Sequence, residues 1–196
     1  NLSGLDATVT GALTTTQLGG LSTTDIGELS STQVGALATT QIAALSTTNI
    51  GALSTTQIGG LTPTQISALS ATAVTGLDAT QVGALSTTQI GGLTGTQLRA
   101  LTTTDFGELS TTQLGALSAT QLASLSATNV SALDATTVGN LSTTQVRGLT
   151  TTQLAGLSTT DVGELSSTQV GALTQTQLGA LTPTALSALD ATQVGA

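Results

Sequence analysis

The chain has no cysteine, histidine, methionine, tryptophan, tyrosine or lysine, and Phe106 is its one aromatic residue. Without cysteine there is no disulfide framework and no thiolate nucleophile. Without histidine, lysine or tyrosine, the usual general bases and Schiff-base formers are missing, and nothing is present to activate the abundant Ser and Thr hydroxyls. The expectation is that the protein is not an enzyme. Positive charge is equally scarce, with only Arg99 and Arg147 against ten carboxylates. Nucleic-acid binding needs a basic footprint and, for single strands, stacking aromatics, so it is not expected. No apolar run approaches the ~18 residues of a membrane span. No secretion signal and no initiating methionine are visible, so the chain reads as a processed form or an excerpt of something longer.

What fills the 196 residues is a period. After a partial repeat at 1–4, residues 5–196 divide into twenty-four blocks of eight without insertion or deletion. Leucine opens every block and Thr holds the fourth place in all of them, from Thr8 to Thr192. The second place is Ser, Thr or Asp except at Ala38, and the sixth is Leu, Ile, Val or Phe except at Thr10. A strict short period marks a repeat architecture, here one continuous array. We number the octads 1 to 24 and their places one to eight.

The octad LSTTQIGA carries helix-start grammar. Its second to fifth residues match the capping box S/T-x-x-E/Q, and Leu and Ile at places one and six are spaced as a hydrophobic staple. Place three is then the first helical residue. Pro63 and Pro183 both fall there, the position where a helix tolerates proline. The next cap begins about six residues later, so no long helix can form. The expectation is an all-α solenoid with one short α or 3₁₀ turn per octad. A β-solenoid is the alternative, since Thr, Val and Ile favour strands. Leucine at place one should face the centre of the coil, with place six nearer an edge. The uniform Thr at place four should be buried, its hydroxyl bonded to a neighbouring coil.

A longer interval is superposed on the octad. LDATQVGA at Leu77, LDATTVGN at Leu133 and LDATQVGA at Leu189 lie 56 residues apart, which is seven octads. LTTTDFGE at Leu101 and LSTTDVGE at Leu157 keep the same interval.

Carboxylates are the only candidate ligands. Asp25 with Glu28, Asp105 with Glu108, and Asp161 with Glu164 form three D-x-G-E pairs that are weak calcium candidates. Calcium wants six or more oxygens, so an acidic first-turn residue plus a solvated Glu is the plainer reading. Asp6, Asp78, Asp134 and Asp190 read as helix N-caps. No cofactor is implied. Asn1, Asn129 and Asn140 begin N-x-S sequons, which arise wherever Asn precedes L-S or V-S.

The run LSTTQIGGLTPTQISALS, residues 53–70, resembles the octapeptide arrays of large bacterial adhesin-like surface and secreted proteins. The resemblance covers the whole chain and carries no site residue. It implies an extracellular or cell-surface location and an elongated structural role as a rod, stalk or filament. Self-association, or continuation of the same array at both ends, is the partner expected. An ordered-surface binding module for ice or a glycan, using regular Thr ranks, is the alternative function.

Overall fold

The computed structural model describes residues 2–195. Each octad forms one helix, from Ala7–Gly11 in octad 1 to Ala191–Val194 in octad 24. No strand is found among the described residues, so the β-solenoid reading is set aside. The helices start at place three and last four to six residues. They are short because the next leucine leaves the helical region: Leu37 and Leu93, which follow Ser31–Ala36 and Thr87–Gly92, have ψ of 138° and 133°. The leucine amide closes the helix with an i−3 bond, as Leu61 does to the carbonyl of Ile58 at 3.1 Å. The extended place-two residue then caps the next helix. Among the described residues no bend uses a positive φ, at glycine or elsewhere.

The start of each helix follows the sequence grammar. At Ser54, the hydroxyl accepts the Gln57 amide at 3.3 Å while Gln57 Oε1 accepts the Ser54 amide at 2.7 Å. Pro63 and Pro183 stand at the first helical position, where their missing N–H breaks no bond. At Ala38 only half the box survives: its amide still donates to Gln41 Oε1, but no side chain accepts in return.

By internal contacts the chain falls into two units, Asn1–Glu108 and Leu109–Ala196. The same rule builds each. A helix packs on the helix three octads further on: Pro63–Ala68 on Thr87–Gly92 in the first unit, Ala119–Ser124 on Thr143–Gly148 in the second. Neighbours in sequence therefore form successive sides of a coil, and stability comes from the coil above and below.

Leucines at place one and aliphatic residues at place six line the inside. Their order of burial differs from expectation. Ile58, Ile90, Leu122 and Leu154 at place six are 0% exposed, whereas Leu61, Leu93, Leu125 and Leu157 at place one retain 3–5%. The place-six side chain projects from the fourth helical residue straight into the coil. The place-one leucine sits on the bend, closer to a corner. Phe106 takes place six and is wholly buried.

Candidate functional site

Place five holds Gln in most octads, and it has two jobs. Its Oε1 closes the capping box. Its Nε2 crosses to the adjacent coil and donates to backbone carbonyls there. Gln57 donates to Ile26 at 2.8 Å and Leu29 at 2.6 Å, Gln97 to Ile66 at 2.7 Å and Leu69 at 2.8 Å, Gln153 to Leu122 at 2.8 Å and Leu125 at 2.9 Å. These glutamines are 1–3% exposed, yet no buried side-chain polar atom among the described residues lacks a partner. One amide thus satisfies a helix start in its own coil and the bend of the next. The crossing bond to the leucine carbonyl spans 28 residues, so the glutamine of one helix reaches the bend that opens the helix it packs on, three octads earlier. Sequence reasoning found the first job and missed the second. The signal available was that Gln outnumbers Glu at a place where a capping box accepts either.

The same place explains the acidic residues. Asp25 Oδ2 accepts the Ser22 hydroxyl at 2.6 Å and its amide at 3.0 Å. Asp105 Oδ2 does the same with Thr102, at 2.8 and 2.9 Å, and buried Asp161 accepts the Ser158 amide at 2.8 Å. The donated Ser22 hydroxyl, then its amide, hold the Asp25 carboxyl below the usual carboxylate range. Glu28 Oε2 accepts the Leu2 amide at 2.9 Å, and Glu108 and Glu164 are exposed. The three aspartates are therefore engaged at their own helix starts, and no group of three His, Cys, Asp or Glu gathers among the described residues as a metal set.

Asp6, Asp78, Asp134 and Asp190 cap helices through Oδ1, accepting amides at 2.7–2.9 Å. The Thr137 amide holds the Asp134 carboxyl below its ordinary range. Of the sequons, Asn1 lies outside the described residues. Asn129 is buried, and Asn140 is exposed with its side-chain amide on the Thr136 carbonyl at 2.8 Å.

Place four overturns its expectation. All twenty-four threonines, Thr8 to Thr192, are exposed. None of their hydroxyls donates to or accepts from the rest of the described chain; the threonine hydroxyls that donate to backbone carbonyls are Thr10, Thr47 and Thr75, at other places. The reason is geometric. Place four is the second helical residue, pointing away from the side whose third and fourth residues enter the coil. It is the one place both invariant in type and exposed throughout.

At the C-terminal end of the second unit, a cavity of about 480 Å³ is lined by Val170, Leu173, Leu178, Leu186, Leu189 and Val194. Leu186 and Val194 are exposed there, as is Val9 in the first unit. No helix among the described residues is long and apolar enough to cross a membrane.

Capped four- to six-residue helices, stacked coil on coil through side-chain amides, define an all-α tandem-repeat protein. The chain belongs to the ALTTAQ repeat family, whose pattern it matches at residues 11–39, 34–71, 138–175 and 151–183, more than half its length. No curated protein and no solved structure gives a significant match.

Proposed function

We propose that this repeat protein is a non-enzymatic structural spacer of the cell exterior, a length of rod in a stalk or filament. The observation that supports it most is the crossing amide bond, repeated from Gln33 in the first unit to Gln193 in the second. Nearly every buried polar side chain is spent on joining one coil to the next. The lack of His, Cys, Lys and Tyr supports the absence of catalysis, and the scarcity of Arg supports the absence of a nucleic-acid partner. The adhesin-like resemblance supports the exterior location and a bacterial source. More of the same array, in this chain or another copy, is the partner. Exposed Val9, Leu186 and Val194 offer apolar surface to it. Small-angle scattering on arrays of 12, 24 and 48 octads tests the rod. The maximum dimension should rise in proportion to octad number, and a dimension that grows only as a compact sphere's would rejects it. Antibody to the array should label intact cells of the source organism.

A second reading, an ordered-surface binding module, is favoured by the exposed threonines. Burial would have explained their uniformity from within the fold, and they are not buried.

A further inference from the structure

The threonines of place four need an explanation outside the chain. Among the described residues their hydroxyls have no partner, so no intramolecular hydrogen bond there selects Thr. Helix chemistry does not select it either. Thr is a mediocre helix former, and an acidic residue in the first turn would gain from the helix dipole. Place three is the adjacent first-turn position and accepts Thr, Ser, Ala, Pro, Gly and Gln. Within one array and one helix turn, the fold tolerates six residue types at one position while only Thr stands at the next.

The chemistry of the surface narrows the partner. Phe106 is wholly buried, so no aromatic face is offered to a sugar ring. Two arginines in the whole chain offer nothing for phosphate or acidic polysaccharide. Among the described residues the exposed large apolar side chains are Val9, Leu186 and Val194, too few and too scattered for a lipid surface. What is displayed is a hydroxyl and a methyl on a β-branched stem with few rotamers, so little side-chain entropy is lost when it is fixed. Repetition of one group matters only to a partner that is itself periodic; a single ligand would need one site.

Resting on the ordered-surface reading, we propose that the place-four threonines bind ice, each setting a hydroxyl and a methyl against the ordered water lattice. Helices three octads apart stack on one another, so within each unit the threonines stand in files along the sides of the coil.

The test uses the whole chain. Ice grain growth is followed in annealed frozen sucrose, and adsorption of fluorescently labelled protein is watched on a single growing ice crystal. The unaltered protein should adsorb and slow grain growth. Thr→Ala at every place-four position from Thr32 to Thr168 should raise the concentration needed at least tenfold. Thr→Ala at the eleven place-three threonines should leave it unchanged, with circular dichroism confirming the fold of both. Equal loss from the two sets overturns the assignment to place four. Should the place-four variant not fold, adsorption of the unaltered protein decides alone, and failure to adsorb overturns the proposal. In that event sedimentation with crystalline cellulose or chitin separates the two levels. Co-sedimentation keeps an ordered-surface module with a different lattice, and its absence removes that reading as well.

Discussion

The side-chain amide of Gln153 lies 2.9 Å from the carbonyl of Leu125, 28 residues earlier, and both residues are buried. Removing the amide strands that carbonyl away from water, while the Leu122 carbonyl keeps the Leu125 amide at 3.1 Å. A stranded buried polar group costs ~1–3 kcal/mol. Gln153→Leu, which preserves apolar bulk, should therefore lower stability by that amount in a denaturant melt. Hydrogen exchange should rise at the helix starts of octad 19, where the capping box is also halved.

The converse change should stabilise. Asp161 occupies the glutamine place with a carboxylate, which can close its own capping box but donates nothing to the next coil. Asn49 shows that a side chain of this length reaches across, donating to the Leu21 carbonyl at 3.1 Å. Asp161→Asn should supply the missing donor, worth ~0.5–1.5 kcal/mol, read as a rise in the denaturation midpoint.

Among the described residues, Ala38 is the one octad start without a capping side chain. Ala38→Ser should recover a bond to the Gln41 amide and gain ~0.5–2 kcal/mol. An unchanged melt would mean that the caps do not govern stability.

Two glycines should behave oppositely. A methyl on Gly92 would lie 2.7 Å from the Pro63 carbonyl oxygen and 2.9 Å from its Cα, both on the neighbouring coil. Gly92→Ala should cost ~1–3 kcal/mol through that overpacking. Gly59, at the end of Thr55–Gly59, faces open space, and Gly59→Ala should gain up to ~1 kcal/mol from helix propensity. Paired thermal melts check both.

Acid should loosen the coils. Asp25 and Asp134 have carboxyls held below their ordinary range by hydrogen bonds of the folded state. A depressed native value contributes stability that is present above the unfolded value and lost as pH falls through the folded one. Melting temperature should thus hold near neutrality and drop below the ordinary carboxylate range. Asp134→Asn, whose amide oxygen can still accept from Thr137, should flatten part of that drop.

The repeat frame, the helix starts and the tolerance for Pro63 and Pro183 were legible in the sequence because capping depends on residues three apart in one chain segment. The crossing amide was not, since it needs the geometry of a second coil 28 residues away. Thr at place four was misjudged for a related reason. Invariance there resembled invariance at the place-one leucines, and only the direction of the second helical residue separates an inward side chain from an outward one. The place-one and place-six ordering failed because variety of side chain was taken as slack. Phe106, Ile58 and Leu122 are all wholly buried at place six, so a stack of similar coils accommodates several shapes at its deepest layer.

The capping box also bears on how such a gene can grow. Each octad starts its own helix and sends its glutamine to the bend before the helix it packs on, three octads earlier. Gain or loss of whole octads leaves every box intact, and the 56-residue interval from LDATTVGN at Leu133 to LDATQVGA at Leu189 is seven whole octads. A change that is not a multiple of eight residues would instead cut a box in two and set an apolar residue where an amide must cross. Copy number is therefore free to drift in steps of one octad, while the reading of the repeat within each step is held fixed by the bonds it makes.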